Sequence, residues 1–495
     1  MDTPVEEGPV RLAGDLVATA TDWQLAAAGV LRKAGRLTQD APDDAAWSKL
    51  TRTTVEGLPI PPLGTPERSA EHRPNASADV NRAGRAITRS ESGWDIRSQI
   101  TDPDSVSAAR SAIDDLENGA TSLWLTIGGE GTDPAELDSA LEGVLLDIAP
   151  LILRPAGDVT DLQAAQALSE LLDTRGVAPD SGSNLGADPI GRAVRGGPSA
   201  QAGFAGIRSI PEIACNLGVR GLVVDGTAAH EAGAGDSGEL GYALAVGAEY
   251  LRELESVGCA VEDAFCLLEF RYAATAEQFT TIAKFRAARW LWRRVAELSG
   301  ADAGSVGQLS HAVTSLPMLT KYDPWVNLLR TTVAAFAAGV GGADAVTVLP
   351  FDTRLGVPDA LGRRMARNIS SLLIAESHVV AADDPAGGAH AVEILTAELA
   401  EAAWAEFQRI ERSGGARAAL TDGSLRGRWA TTSVERHRRI ATRRQAITGV
   451  SEFPNLREVL PSRRPIDASA SDTFWANPFE ELRDEPASTP VFLAT

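Results

Sequence analysis

Histidine and aspartate side chains near the ends of apolar segments are the residues of this chain best suited to acid–base chemistry. His230 lies in the stretch VVDGTAAHEAGA and is one of only six histidines. Together with Asp225, His311 and Asp352, it could form a general acid–base cluster if the fold brought these side chains together. A histidine in such a loop is more often a hydrogen-bonded structural residue than a catalyst, so both interpretations stay open.

Two glycine-containing motifs do not predict a bound cofactor. The sequence from His230 to Gly233 reads H-x-x-G, the second half of the D-x-H-x-x-G loop that holds cobalamin in many corrin enzymes. Ala228 stands where that loop has its aspartate, whose carboxylate would fix the tautomer of the ligating imidazole. The stretch GGEG at 128–131 fits neither the P-loop nor the G-x-G-x-x-G pattern. We therefore predict no metal site from these motifs.

The composition narrows the classes of function further. The 495 residues include 46 basic and 67 acidic side chains, which give a net charge of −21. Such an acidic chain argues against a nucleic-acid or anionic-membrane partner. The three cysteines are too widely spaced for a zinc site or a disulfide framework. The acidic opening MDTPVEEGPV and the lack of an apolar run of ~20 residues predict a cytoplasmic protein.

Eight short apolar segments alternate with helix-forming stretches from Gly119 onward. The predicted strands are 122–127, 150–155, 183–188, 221–226, 266–272, 307–313, 345–350 and 377–383. Nearly continuous apolar strands that alternate with helices are typical of a parallel sheet covered on its outside. Eight such units predict a (β/α)8 TIM barrel, which typically takes ~250 residues. A doubly wound open sheet with fewer strands is the alternative.

The chain divides into four predicted regions. Residues 1–115 combine a helical arm around TDWQLAAAGVLRKAGR with a Pro-rich extended connector, and residues 116–392 form the barrel. Residues 393–485 hold long helices rich in Arg and Glu, which predict a helical linker region. The last residues, 486–495, look like the first strand of a further, flavodoxin-like domain. In a barrel, functional side chains lie at the carboxyl ends of the strands, where the candidate aspartates and histidines fall.

Several segments resemble the methylmalonyl-CoA mutase family, in the order in which that family has them. They are 323–352 (DPWVNLLRTTVAAFAAGVGGADAVTVLPFD), 277–298 (EQFTTIAKFRAARWLWRRVAEL), 370–388 (SSLLIAESHVVAADDPAGG) and 446–455 (AITGVSEFPN). Two shorter segments, LGADPI at 185–190 and GTAAHEAGA at 226–234, are similar to the small, or β, subunit of the heterodimeric bacterial enzyme. The resemblance covers most of residues 20–490.

The resemblance implies a barrel that belongs to an isomerase complex. Catalytic subunits of the family thread an acyl-CoA along the barrel axis and dock adenosylcobalamin on the carboxyl-end face. They interconvert methylmalonyl-CoA and succinyl-CoA through radicals. This chain contains no D-x-H-x-x-G motif, and the family's flavodoxin-like domain would begin where the sequence stops. The resemblance therefore implies that a partner subunit binds adenosylcobalamin and that this chain binds none.

Four positions depart from the pattern of the catalytic subunits. Thr227 and Ala228 stand where the family has its catalytic Tyr and His, and Arg89 stands where it has the Tyr that guides the radical. Gly186 replaces a Gln that lies near the substrate. Loss of an acid, a phenol and a cobalt ligand removes contacts that the reaction needs. The resemblance thus implies a non-catalytic small subunit that stabilises a catalytic large subunit in a heterodimer.

Two other interpretations stay open on the sequence. The chain could be an independent barrel enzyme that uses His230 and His311, or a subunit of a related mutase for isobutyryl- or ethylmalonyl-CoA. If the chain has lost catalysis, His230, His311, Glu376 and Asp352 are predicted to line a vestigial pocket.

The predicted partner surface comprises the helical arm and the long C-terminal helices. Trp290 and Trp292, on an arginine-rich helix, could anchor the large subunit, because tryptophan is common at the energetic centres of interfaces. Packing within the barrel is the alternative role for both side chains.

Overall fold

A computed structural model describes residues 18–71, 93–197 and 474–484, and residues 204–465 apart from 205, 303 and 305. The strands are β1 Arg52–Thr53, β2 Pro59–Ile60, β3 Asp95–Ile100, β4 Ser122–Ile127, β5 Leu151–Pro155, β6 Asn184–Ala187, β7 Arg220–Asp225, β8 Leu268–Ala274, β9 Ser310–Thr314 and β10 Ala345–Thr347.

Helices precede, separate and follow these strands. They are α1 Ala20–Lys33, α2 Ala45–Leu50, α3 Pro66–Glu71, α4 Ser105–Glu117, α5 Leu137–Ala140, α6 Asp161–Arg175, α7 Pro189–Val194, α8 Ile210–Leu217, α9 Thr227–Glu231, α10 Asp236–Ser256, α11 Val261–Cys266, α12 Gln278–Leu298, α13 Val326–Val340, α14 Ala360–Ser371, α15 His390–Arg412, α16 Ala416–Thr421, α17 Ser424–Ala441 and α18 Asn477–Asp484. Within the described residues, the remaining helical turns are the 3-10 turns Pro134–Glu136 and Thr353–Leu355 and the π-helix Leu372–Glu376.

Strands β3 to β10 close into a barrel in which all neighbouring strands are parallel. The barrel closes where Ala345 of β10 pairs with Asp95 of β3. Helices cover the outside of the sheet, so the strands are buried on both faces and carry the nearly continuous apolar runs that parallel barrels require. The predicted (β/α)8 TIM barrel is confirmed.

Seven predicted strands coincide with β4 to β10, but the eighth prediction is wrong. The segment 377–383 forms turns after the π-helix, whereas the first barrel strand is Asp95–Ile100, ahead of the predicted barrel start at residue 116. That strand escaped prediction because its sequence, DIRSQI, is polar. Asp95 and Arg97 are both buried, and they belong to a hydrogen-bonded network inside the barrel.

A buried ion-pair network occupies the barrel axis near the amino ends of the strands. The Arg97 guanidinium donates to Asp95 Oδ2 at 3.1 Å and also to the carboxylate of Glu269. The Asn184 amide donates to Glu269 Oε2 at 3.1 Å. Burial opposes ionisation of Glu269, but the Arg97 and Arg271 charges more than offset it and lower its pKa. Charged side chains at this depth are stable only when paired and hydrogen-bonded, as they are here.

An apolar plug lies above this network, towards the carboxyl ends of the strands. Its buried members are Trp124, Ile152, Val313, Leu319 and Leu349. The side chains come from three strands and from the loops that follow β9 and β10, so they meet across the interior. Among the described residues, the plug and the ionic network together close the barrel axis.

Three long helices pack beside the barrel and bury Trp292, one of the two tryptophans that were candidate partner anchors; the other, Trp290, is half-buried. Helix α15 packs against both α10 and α12. Trp292 of α12 is 1% exposed, and its ring lies 4.5 Å from that of Phe270 and 4.9 Å from that of Phe265. The interpretation of Trp292 as a partner anchor is therefore wrong, and its alternative role in barrel packing is confirmed.

The segment before the barrel contains a small core of its own. Ala28 and Leu31 of α1 cluster with Leu37 and Ala46, separately from the barrel core. The β1–β2 hairpin is attached to the barrel, because the Glu56 carboxylate accepts the first backbone N–H groups of α10 at 2.9 Å. None of the described helices is both long enough and apolar enough to cross a membrane.

Candidate functional site

A cavity of about 970 Å³ opens at the carboxyl ends of the barrel strands. Successive strands contribute Trp124 from β4, Arg154 from β5, Gly186 from β6, Asp225 from β7 and Arg271 from β8. The apolar plug forms its floor, because Trp124 belongs to both. This is the face on which barrel proteins place their functional side chains.

Asp225 is the most strongly held carboxylate of the cavity. It pairs with Arg271 at 3.0 Å and with Arg195 at 3.2 Å, and it accepts the Thr227 hydroxyl at 2.5 Å. Burial opposes its ionisation, but the two guanidiniums more than offset burial and lower its pKa. Asp225 is therefore a permanent anion and an unsuitable general base near neutral pH.

Asp188 also lines the cavity, but its pKa is shifted in the opposite direction. Burial, together with the nearby charge of Asp225, raises the pKa of this carboxyl to about 7. It accepts hydrogen bonds from the Tyr250 hydroxyl at 2.6 Å and from the Gly191 N–H at 3.0 Å. These bonds hold it at the start of α7, where it acts as an N-cap.

His230 lines the cavity, but none of the described carboxylates is positioned to activate it. Its Nε2 lies 2.8 Å from the Ser315 hydroxyl, and its buried Nδ1 has no hydrogen-bond partner among the described residues. Glu239 stands 3.6 Å from Nδ1, and its oxygens already accept Lys284 at 2.8 Å and the Ala273 N–H at 2.7 Å. Burial and the charges of Lys284 and Arg436 lower the pKa of His230 well below its usual range. The imidazole is therefore neutral.

Two of the other predicted site residues, His311 and Asp352, do not line the cavity with His230. His311 is buried in the barrel, where Nδ1 accepts from Arg271 at 3.1 Å and Nε2 contacts the Thr347 hydroxyl at 2.8 Å. Asp352 is buried outside the cavity lining and is paired with Arg463. The structure thus separates both residues from His230.

Glu376 lies at the other end of the barrel. It is exposed at the end of the π-helix, whose Ile374 packs beside Gly93 just ahead of β3. Of the four residues predicted to share a vestigial pocket, His230 is the one that lines the cavity. In the part of the chain that the structure describes, no three His, Cys, Asp or Glu side chains are grouped to hold a metal ion.

Three of the four positions that depart from the catalytic pattern lie at this cavity. Thr227 and Ala228 begin α9 and line it. Gly186 has φ +72°, and a Cβ there would lie 1.9 Å from the carbonyl oxygen of Leu153. The backbone at this position therefore excludes any side chain, not only glutamine. Arg89 lies outside the described residues.

Sequence reasoning missed the arginine that faces the cavity from β5. Arg154 is the fourth residue of the strand LILRP, whose other residues are buried. Its guanidinium carbon lies 5.3 Å from the centre of the Trp124 ring, and that of Arg271 lies 4.2 Å from the same ring. A charged residue at the carboxyl end of an apolar strand was the signal that could have identified it.

A closed (β/α)8 barrel with polar side chains around its carboxyl-end mouth defines the general class of this protein. The family model for methylmalonyl-CoA mutase matches residues 217–491. Together with the relatives below, this match shows that the chain belongs to the methylmalonyl-CoA mutase family.

Three of the relatives are methylmalonyl-CoA mutase small subunits. The chain is 47% identical to the methylmalonyl-CoA mutase small subunit of Streptomyces virginiae, over 91% of this chain and 73% of the relative. It is 39% identical to a probable small subunit of Mycobacterium bovis, over 95% and 77% of the two chains. With the small subunit of Propionibacterium freudenreichii it shares 34% identity, over 98% and 78%.

Proposed function

We propose that this chain is a non-catalytic small subunit of an adenosylcobalamin-dependent methylmalonyl-CoA mutase. It would form a cytoplasmic heterodimer with a catalytic large subunit, and the complex would interconvert methylmalonyl-CoA and succinyl-CoA. The closed barrel axis is the observation that carries the proposal. Catalytic subunits of the family thread an acyl-CoA along this axis, whereas here Arg97 and Glu269 pair across it beneath the apolar plug.

The cavity residues also favour a non-catalytic role. The positions of the catalytic Tyr and His are taken by Thr227, whose hydroxyl donates to Asp225, and by Ala228, which has no polar side chain. His230 is neutral and lies beside Ser315. These residues do not fit a catalytic cobalamin site, because they offer neither the steering phenol nor the imidazole acid. We therefore assign adenosylcobalamin to the large subunit.

The retained barrel would act as a folded surface that stabilises the large subunit. The short core of the N-terminal arm leaves Leu25 and Val30 61% and 66% exposed on α1. Side chains of this kind contribute to partner interfaces when their apolar surface is covered. If this chain binds the folded large subunit and not the unfolded one, it shifts the folding equilibrium of the large subunit towards the native state by mass action.

Co-expression with the large subunit of the same organism tests the proposal. We expect more soluble large subunit, a higher mutase rate and a 1:1 complex by size-exclusion chromatography with light scattering when this chain is present. Equal solubility and equal activity of the large subunit alone would refute the stabilising role. A reaction catalysed by the isolated chain and abolished by His230→Ala would instead support an independent barrel enzyme.

A further inference from the structure

The cavity at the barrel mouth is electropositive in a strongly acidic protein. Six arginines and four carboxylates line it, although the whole chain carries a net charge of −21. The pKa of about 7 for Asp188 leaves one of these carboxylates partly protonated at neutral pH. An excess of one sign of charge in a cleft with low-dielectric walls concentrates ions of the opposite sign. This cavity therefore attracts anions.

Most of the lining arginines already have partners. Arg192 pairs with Asp161 at 3.0 Å, Arg195 pairs with Glu231 at 2.9 Å, and Arg426 donates to two backbone carbonyls of α7. These contacts connect the loops around the mouth and leave little capacity for a ligand.

Arg154 differs from these arginines. Within the described residues, its guanidinium makes no ion pair or hydrogen bond, and its specific contact is with the face of Trp124. Burial, together with the positive charge of Arg195, lowers its pKa to about 10. The carboxylates of Glu231 and Asp225 act on this guanidinium without forming an ion pair with it, and Arg154 is half-buried, so its N–H groups are available to a ligand.

Arg271 adds unused donors beside Arg154. Its Nε donates to His311 and one terminal nitrogen pairs with Asp225, but the other terminal nitrogen is buried with no partner in the described part of the chain. Both guanidiniums contact the Trp124 ring at the floor of the cavity, and the charge of Arg271 is among the causes that lower the pKa of Arg154. Paired guanidiniums of this kind suit carboxylate and phosphate oxygens, which accept several N–H donors at once.

We propose that the cavity binds a small oxyanion of the carboxylate or phosphate type through Arg154 and Arg271. Val313 and Leu349 at the same floor would contact any non-polar part of the ligand. The volume of about 970 Å³ is within the range of small-molecule sites. Because the plug closes the axis below, the ligand would bind wholly within the mouth. The site requires no catalysis by this chain, and its existence is independent of the proposed subunit role.

Isothermal titration of the purified chain with inorganic phosphate and, separately, with malonate tests the proposal. Arg154→Met removes the charge while keeping an unbranched apolar stem, and we expect it to weaken binding about 10- to 100-fold. Arg293→Met is the matched control, because Arg293 lies on the outer surface of α12, where it pairs with Glu297 at 3.6 Å. This control should bind both probes as the unmodified chain does.

The two probes distinguish the classes of ligand. Binding of phosphate alone or of malonate alone would define the ligand class, and binding of both would define a general oxyanion site. No saturable binding of either probe would refute the proposal, as would equal affinities of the unmodified chain and Arg154→Met. The melting temperature of Arg154→Met reports on folding, and we expect it to be close to that of the unmodified chain, because within the described residues Arg154 makes no ion pair or hydrogen bond that the substitution would break.

Discussion

Two carboxylates in the cavity, Asp188 and Asp225, show how neighbouring side chains determine charge at the scale of single residues. Both are almost fully buried, yet Asp225 is held as an anion by Arg195 and Arg271, whereas Asp188 has a hydroxyl and a backbone N–H as its hydrogen-bond donors. In the sequence, Asp188 directly follows β6 and Asp225 ends β7. The sequence alone does not show which of the two carboxylates pairs with the guanidiniums.

The raised pKa of Asp188 predicts a pH-dependent stability. Its pKa is about 7 in the folded chain and lies near 3.8 when exposed, so between these values the folded state binds more protons. Stability should therefore fall as the pH rises from about 4 to 7 and then level off. Asp188→Asn keeps an oxygen for the N-cap and should flatten this fall, by on the order of 2 kcal/mol between pH 5 and pH 8.

Urea denaturation of both proteins at several pH values measures this effect. Glu130→Gln provides the control, because it removes one exposed carboxylate from the rim of the same cavity. Parallel stability profiles for the unmodified chain and Asp188→Asn would contradict the assigned pKa.

At the scale of elements, the sequence predicted strands wherever apolar side chains face outward to helices. That pattern identified β4 to β10 and the barrel as a whole. It failed at β3, since the inward side chains Asp95 and Arg97 are polar, and at 377–383, where Val379 and Val380 pack from turns against the core. The same pattern did not identify Arg154 as a site residue. An apolar strand pattern does not show whether a guanidinium on the strand has an ion-pair or hydrogen-bond partner.

The GVGG stretch at 339–342 permits close packing between α13 and the start of the barrel. A Cβ on Gly339 would lie 2.2 Å from the ring of Trp94, which is itself buried and donates to Ser370 at 3.2 Å. Gly339→Ala should therefore displace the ring and lower the free energy of unfolding by about 1–3 kcal/mol. Thermal and urea denaturation would measure the loss.

Gly427 of α17 is the matched control for this substitution. A Cβ there would meet no atom within 4 Å, so Gly427→Ala should stabilise the chain by about 0.5–1 kcal/mol through helix propensity alone. An equal response to the two substitutions would show that Trp94 moves freely and that Gly339 is not required for packing.

At the scale of the whole molecule, the barrel and the N-terminal arm differ greatly in how many apolar side chains they bury. The barrel and its packing helices share one extensive buried cluster, whereas the arm buries little beyond Ala28, Leu31, Leu37 and Ala46. Segments with few buried apolar contacts open at lower free energies than a central core. The arm is therefore the region whose stability a partner subunit would change most.

Hydrogen exchange with mass spectrometry tests this role of the arm. In the isolated chain, amides of Ala20–Lys33 should exchange much faster than those of Leu151–Pro155, and addition of the large subunit should slow the arm selectively. The double substitution Leu25→Asp and Val30→Asp should weaken the complex about ten-fold or more, because it places charge at two exposed apolar positions of α1 that the partner would cover.

Leu145→Asp is the control for this interface. Leu145 is 62% exposed and Leu25 is 61% exposed, but Leu145 lies on the barrel, between α5 and β5. It should leave binding of the large subunit unchanged. Unaltered exchange of the arm in the complex, or equal weakening by the arm and barrel substitutions, would place the interface elsewhere on the barrel. If addition of the large subunit slows amide exchange only in the arm, the partner packs against the small core of the arm. That packing would explain why the outer apolar residues of the arm are exposed in the isolated chain.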